Sequence, residues 1–292
     1  MDLFGNMKRY KVAPLPFQGQ KRYFVEPFVS VLREVSQSQD IKVVVDLFGG
    51  SGLLSHTAKR VLPGCKVIYN DYDGFSARLR SVERTNELLT DIRVLLCDYP
   101  REKRINEAYK SIILARIEKE EKSGFVDYIT LSSSLLFSAN YVTNFDELKA
   151  STLYNNVKQN NYDVNAAEYL NGLEIVKCDY LALFKQYKDV PGVLFVVDPP
   201  YLTTDTKTYL SDQYWKLADF LNVINVLNES NYVFFTSNKS SLIELCEWLS
   251  ESHNINNPFE NAVLKTHETR LNPQSKYIDM MLTRMIETKK AS

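Results

Sequence analysis

The chain predicts a Rossmann-like α/β fold, a mostly parallel sheet flanked by helices, interrupted by an inserted, mostly helical region. Three observations carry that expectation. The β-branched run Ile41 to Val45 leads into Asp46-Leu47-Phe48-Gly49-Gly50-Ser51-Gly52, a strand followed by a glycine turn. The run Val193 to Val197 is bounded by Pro191-Gly192 and stops at Asp198-Pro199-Pro200-Tyr201. Short aliphatic runs between turn signals read as strands buried on both faces. Strands then alternate with helices on either side of a middle stretch, 75–171, that does not alternate.

The elements follow in order. Met1 to Lys11 has no apolar core of the kind that marks a secretion signal. After the strand at Ile41 to Val45, the glycines permit a tight turn and close backbone approach to a ligand. A helix starts near Leu53. As a dinucleotide fingerprint the turn is incomplete, because Leu53-Leu54-Ser55 stands where a third glycine is needed. Asp46 also suits a cationic ligand better than a pyrophosphate. Lys66 to Asn70 is the next strand and ends at Asp71. It lies about twenty residues past the glycines, the spacing at which nucleoside-binding α/β proteins set a carboxylate on a ribose. An acidic helix cap is the alternative for Asp71.

Phe75 to Cys97 reads as helical and is broken by Pro100. Arg101 to Lys122 is charge-rich with a helical pattern. Gly172 to Lys177 reads as a strand and Leu181 to Tyr187 as a helix. That sets Asp179 at a strand's carboxyl end beside the strand carrying Asp198. Asp98 is the alternative, since Cys-Asp-Tyr occurs at both Cys97 to Tyr99 and Cys178 to Tyr180. Past Tyr201, the polar stretch Thr203 to Lys207 is a loop able to move over a site. Tyr214 to Val226 is an amphipathic helix, Tyr232 to Thr236 a strand, Leu242 to Leu249 a helix and Tyr277 to Met285 a last strand. Residues 1–74 and 172–292 thus form one unit, and residues 75–171 the insert.

Bulk properties narrow the function classes. The 292 residues are 45% hydrophobic and 24% charged, ordinary globular values. The net charge is −1 and the pI about 6.4, so any nucleic-acid contact rests on local patches and not on the sum. The four cysteines, Cys65, Cys97, Cys178 and Cys246, have no zinc spacing and read as reduced thiols in a cytoplasm. No apolar stretch reaches the ~20 residues that span a bilayer. His56, His253 and His267 receive no role.

The Asp-x-Phe-x-Gly-x-Gly turn resembles the S-adenosylmethionine loop of methyltransferases. Together with Asp198-Pro199-Pro200-Tyr201, the chain resembles the Dam-like, alpha-ordered DNA adenine-N6 methyltransferases. Motif order carries this likeness: Pro16 to Arg22, then Asp46 to Gly52, Asn70-Asp71, an insert, and Asp198 to Tyr201. The family's N-terminal Trp-x-Gly-Gly-Lys is Phe17-Gln18-Gly19-Gln20-Lys21 here, which departs at one glycine and puts Phe17, able to stack in its place, where the tryptophan stands. The resemblance implies a Rossmann-like sheet that depends on S-adenosyl-L-methionine and uses no metal. Around the cofactor it implies Phe17, Lys21, Asp46, Phe48, Gly50, Gly52, Asp71, Asp179 and Asp198, with Lys21 near the methionine carboxylate. It implies Asp198, Pro199, Pro200 and Tyr201 as catalytic residues, and double-stranded DNA with a flipped-out adenine as substrate. The insert would be the target-recognition region. A cytoplasmic protein of a bacterium or phage is expected, with no membrane contact, and a cognate restriction endonuclease is a partner the family allows.

The tetrapeptide suits that chemistry. The N6 lone pair of adenine is delocalised into the ring and is a poor nucleophile. Asp198 and the Pro199 carbonyl can accept the two amino hydrogens and stabilise the charge that develops on nitrogen. Proline holds its carbonyl with little entropy left to lose. Tyr201 can stack on the base, a contact worth roughly 1–3 kcal/mol. Other readings are an amino methyltransferase on cytosine N4, RNA adenine or a glutamine side chain, and an inactive DNA-binding relic. For DNA contacts, Arg101, Lys103, Arg104, Lys110, Arg116, Lys119 and Lys122 alternate with glutamates, as on a solvated helix. Asn155, Asn156, Asn160 and Asn161 read either as adenine-edge readers or as a polar loop.

Overall fold

A computed structural model describes residues 10–137, 140–200, 215, 217–238, 240–253, 256–272 and 275–286. Seven strands form one sheet: β1 (Val43–Asp46), β2 (Lys66–Asn70), β3 (Glu174–Val176), β4 (Val193–Val197), β5 (Tyr232–Ser237), β6 (Val263–Asn272) and β7 (Ser275–Arg284). Their order is β3-β2-β1-β4-β5-β7-β6. The first five run parallel, and β7 lies antiparallel between β5 and β6. The chain leaves β1 toward β2 on one side and returns to β4 on the other. The carboxyl ends of β1 and β4 therefore flank the switch point, where open α/β sheets bind ligands.

Alternation along β1 explains its unbroken apolar run. Val44 packs with Phe28 and Leu32 of α1 (Val25–Ser38) and with Leu54 and Ala58 of α2 (Leu53–Val61). Val43 and Val45 pack on the opposite face. Their cluster includes Leu183 and Phe184, Val223, and Leu242. These come from three further helices on that face, named below. Both faces of β1 and β4 are buried, so both strands are apolar throughout, apart from Asp46 at the end of β1.

Between β2 and β3 the chain forms α3 (Phe75–Arg80), α4 (Val82–Leu95), α5 (Glu107–Ser123), α6 (Tyr128–Leu135) and α7 (Phe145–Ala150), and no strand among the described residues. Leu88, Leu89, Ile92, Ile113, Ile117, Leu131, Leu135 and Leu148 from α4 to α7 share a hydrophobic cluster separate from those of the sheet. Asn106, Asp127 and Asn144 cap α5, α6 and α7 by accepting from Tyr109 N, Thr130 N and Glu147 N at 2.9–3.0 Å. The remaining helices are α8 (Tyr180–Tyr187), α9 (Leu217–Asn228) and α10 (Leu242–His253).

Three details differ from the sequence expectation. The strand before Asp179 was expected beside the one carrying Asp198, but β3 pairs with β2 at the end of the sheet, and β2 and β1 separate it from β4. The helical stretch from Phe75 breaks at Ser81, which ends α3 and precedes α4. Strand β6 was not expected. Lys265, Thr266, His267 and Glu268 blur its pattern, as an edge strand paired on one side tolerates. The loop Thr203 to Lys207 lies outside the described residues.

Candidate active site

The carboxyl ends of β1 and β4 open onto a cavity of about 410 Å³, in the ~300–1,000 Å³ range of small-molecule sites. Its floor is the glycine turn. A Cβ at Gly49 would lie 2.3 Å from the Tyr69 ring, so only glycine fits there. Gly50 has φ of +48° and supports the backbone beneath Phe17, whose ring a Cβ at Gly50 would meet at 3.2 Å.

Phe17 to Lys21 forms one wall. Gln20 stands at the departure from the family pattern, and its side chain carries the local structure. Its Oε1 accepts from Ala13 N at 3.0 Å, and its Nε2 donates to Leu15 O at 3.3 Å. Phe17 meets Phe75 edge-on at 5.7 Å. Lys21 Nζ donates to Gly19 O at 3.0 Å and sits 2.6 Å from Asp198 Oδ2. Both side chains of this pair are mostly buried, 11% and 16% exposed. Lys21 was expected beside a cofactor carboxylate, and its partner in the structure is the acid of the tetrapeptide. Burial pushes the Asp198 carboxyl up, while the Lys21 ammonium opposes that shift.

The acids sort differently from the expectation. Asp71 does not line the cavity. Its Oδ1 accepts from Phe75 N at 2.6 Å and its Oδ2 from Ser76 N at 3.1 Å, so the start of α3 occupies both oxygens. Asp73, two residues on, lines the cavity beside Tyr72. Asp179 also lines it, although its Oδ1 caps α8 through Leu181 N and Ala182 N at 3.0 and 3.1 Å. Asp98 follows α4 and is not on the cavity wall.

Asp46 is buried behind the glycine turn and is absent from the cavity lining. Its Oδ2 accepts from Ser55 Oγ at 2.6 Å, and Oδ1 has no hydrogen-bond partner. Burial raises its pKa to about 7; the Ser55 hydrogen bond opposes that rise, and the nearby Asp198 charge adds to it.

The opposite wall is aromatic. Phe48 lies 4.8 Å from Tyr180 and 5.5 Å from Trp215, and Tyr180 stacks on Trp215 at 5.4 Å. Asn70 fixes this end of the sheet. Its Nδ2 donates to Leu47 O and Cys178 O, both at 3.0 Å, and its Oδ1 accepts from Cys178 N at 3.1 Å. One amide thus joins the ends of β1, β2 and β3.

Of the residues expected at the site, Phe17, Lys21, Phe48, Gly50, Asp179, Asp198 and Pro200 line one cavity. Asp46, Gly52, Asp71 and Pro199 are not among the residues that line it. Gly52, at φ of +70°, precedes the first residue of α2. Tyr201 lies outside the described residues. Tyr72, Asp73, Tyr180 and Trp215 line the cavity without having been singled out. A signal existed for two of them: Tyr180 follows Asp179 directly, and Trp215 is one of only two tryptophans.

Several other titratable and basic groups have structural partners. His56 is buried, with Nδ1 2.7 Å from Tyr169 O and its ring stacked on Tyr169 at 4.5 Å. Burial lowers its pKa to about 4. Arg116 pairs with Asp91 and Glu120, Lys122 with Glu118, and Arg104 with Glu107. Asn155 and Asn156 donate their amides to the backbone of Tyr99, Pro100 and Leu136. No helix among the described residues is long and apolar enough to cross a membrane. No group of three or more histidines, cysteines or acids able to hold a metal occurs among them.

Comparison with known proteins bears on this site. A Haemophilus influenzae protein named as a methyltransferase is 39% identical over 259 residues, covering 88% of this chain and 86% of its own length. Among solved structures, a precorrin-6y C5,15-methyltransferase from Geobacter metallireducens aligns over 95% of this chain and 100% of its own, at 10% identity and a TM-score of 0.37. That score is too low to carry an argument, and the strand order above stands on its own pairing. The family described as D12 class N6 adenine-specific DNA methyltransferase matches residues 17–277, from Phe17 on the cavity wall to Tyr277 in the last strand. The chain belongs to that D12 class N6 adenine-specific DNA methyltransferase family.

Proposed function

We propose that the cavity binds S-adenosyl-L-methionine and that Asp198-Pro199-Pro200-Tyr201 presents a flipped-out adenine of double-stranded DNA to it. The observation that carries this reading is the convergence of Asp198 with the glycine turn on one cavity at the switch point of the sheet. The wall chemistry fits the donor. Phe48, Tyr180 and Trp215 offer aromatic faces to a purine, and Asp73 and Asp179 are acids within reach of ribose hydroxyls and an amino group. Asp73, not Asp71, takes the ribose role in this reading, since Asp71 is committed to α3. The donor supplies a sulfonium-activated methyl group.

The protein's own residues do the rest. Lys21 engages Asp198 Oδ2 and favours the ionised acid against the desolvation that raises its pKa. Oδ1 then accepts one N6 hydrogen, and the Pro199 carbonyl accepts the other. Both acceptors are fixed before reaction, so they stabilise positive charge developing on N6 without reorganising. An adenine inside a duplex cannot reach a cavity at this depth, so it leaves the stack first. Residues 75–171 form the target-recognition region in this reading, and the 1–74 and 172–292 unit the catalytic one. Among the basic residues considered, Arg104, Arg116 and Lys122 are paired with acids. DNA contacts therefore draw on other positions of the insert.

The test is transfer of label from tritiated S-adenosylmethionine to unmethylated duplex DNA, with the product nucleosides resolved. Label in N6-methyladenine is expected. Label in N4-methylcytosine would keep the mechanism and change the base. No label, despite donor binding, would overturn the DNA reading.

A further inference from the structure

One buried side chain joins three parts of the molecule that are distant in sequence. Arg78 in α3 is 4% exposed. Its Nε donates to Asp127 Oδ1 at 2.9 Å. Its Nη2 donates to Pro16 O at 2.7 Å and to Thr130 Oγ1 at 3.2 Å. Its guanidinium also lies 5.2 Å over the Phe75 ring, and that ring meets Phe17. Asp127 and Thr130 belong to the start of α6, inside the helical region between β2 and β3. Pro16 immediately precedes the Phe17–Lys21 cavity wall. Lys21 in turn reaches Asp198.

The pairing is more than a buried ion pair. Asp127 is also the cap of α6, accepting from Thr130 N at 3.0 Å, and its Oδ2 accepts from Thr130 Oγ1 at 2.5 Å. Any shift of α6 relative to the sheet moves the carboxylate that holds Nε and the hydroxyl that holds Nη2. The same guanidinium is planar, so Nε and Nη2 cannot move independently. Displacement at α6 is transmitted to the Pro16 carbonyl and hence to the wall that carries Phe17 and Lys21.

We propose that Arg78 is a positioning residue that couples the helical region to the methyl-donor cavity, so that DNA on the helical region tightens donor binding. The inference rests on the donor and recognition readings above. Linkage makes the effect reciprocal, so donor binding tightens DNA binding by the same factor.

The experiment measures the dissociation constant of S-adenosylhomocysteine, by isothermal titration calorimetry, with and without saturating unmethylated duplex DNA. Wild type is compared with Arg78→Lys and with Thr130→Val, and thermal midpoints are recorded for each. Lysine keeps the charge opposite Asp127 but cannot donate to all three acceptors from one plane. Thr130→Val removes a single acceptor and keeps the side-chain volume. Wild type is expected to bind the ligand on the order of tenfold tighter with DNA present. In Arg78→Lys that ratio is expected to fall to within about twofold of unity, with ligand affinity in the absence of DNA changed far less. Thr130→Val is expected to fall between the two. A ratio near unity in wild type would overturn the proposal. So would a wild-type ratio retained in a folded Arg78→Lys protein, or in Thr130→Val if the lysine variant fails to fold. Failure of wild type to bind S-adenosylhomocysteine at all would instead overturn the donor reading on which the proposal stands.

Discussion

Two acids near the glycine turn have opposite duties, Asp198 on the cavity wall and Asp46 buried behind it. Asp198 is held by Lys21 and faces the cavity, so its loss should strike the reaction and spare the fold. Asp198→Asn keeps the shape and removes the charge that opposes Lys21. Transfer is expected to fall at least ~100-fold, the scale of losing one preorganised electrostatic partner, while cooperative thermal unfolding persists. Full activity in that variant would sink the mechanism. Asp46 is buried with one oxygen unpartnered and has its pKa raised to about 7. A carboxyl whose folded pKa lies above its unfolded value is better tolerated protonated. Its burial penalty is therefore full above pH 7 and is relieved as pH falls from about 7 toward 4. His56 acts oppositely. Its pKa is lowered to about 4, so the stability it contributes is present above about 6.5 and lost as pH falls toward 4. Comparing wild type with Asp46→Asn cancels the histidine. Asp46→Asn is expected to gain stability relative to wild type at pH 8, on the order of 1–3 kcal/mol, and to keep less than half of that advantage at pH 5. Urea midpoints at the two pH values check this, and an advantage equal at both would refute it. Residues of this kind were only partly legible in the sequence. Asp198 announced itself through its prolines. Asp71 and Asp73 are two residues apart, and only the hydrogen bonds from α3 show which of them is consumed by a helix end.

The glycine turn and the strands beneath it could be read from the chain because both faces of β1 and β4 are buried. That constraint writes an unbroken aliphatic run and a sharp stop. The edge strand β6 lacks it, since β7 is its one ladder partner among the described residues, and its mixed polar sequence gave no signal. Tyr180 and Trp215 were also hidden, because they reach the expected Phe48 from two other segments only through the sheet order. The turn itself yields a sharp prediction. A Cβ at Gly49 would stand 2.3 Å from the Tyr69 ring and 2.8 Å from Asn70 O. The ring cannot retreat, since Tyr69 is fully buried and its hydroxyl donates to Gly50 O at 2.8 Å. Gly49→Ala is therefore expected to destabilise the fold by more than the ~1 kcal/mol typical of point changes and to weaken donor binding along with it. A melting temperature and donor affinity both equal to wild type would show that the turn is not packed as described.

At the scale of the whole chain, the sheet and the helices α4 to α7 have separate hydrophobic clusters, and a fourth cluster with Leu53, Tyr69, Phe75, Leu79 and Val82 draws on both parts. The sheet has clusters on both faces, and α4 to α7 hold a further one that shares no buried residue with them. The sequence showed the division as a loss of strand–helix alternation after residue 75. It could not show that Arg78 and Asp127 would tie the halves together, because that contact spans 49 positions and leaves no periodic trace. The division predicts that damage to one system falls unequally on the two ligands. Ile113 in α5 is fully buried in the helical cluster and far in the chain from every residue of the cavity wall. Ile113→Ala removes packed methyl groups and leaves a void, at a cost of roughly 2–5 kcal/mol. The loss should loosen α4 to α7 before it reaches the sheet. Affinity for unmethylated duplex DNA is expected to fall several-fold, while S-adenosylhomocysteine binding measured without DNA is expected to fall by a smaller factor, since only the displacement that reaches Arg78 through α6 is passed to the cavity wall. Titrations of both ligands against the one variant decide the matter. Equal losses on both would mean that the helices and the sheet respond as a single cooperative body, and the recognition role of residues 75–171 would lose its support.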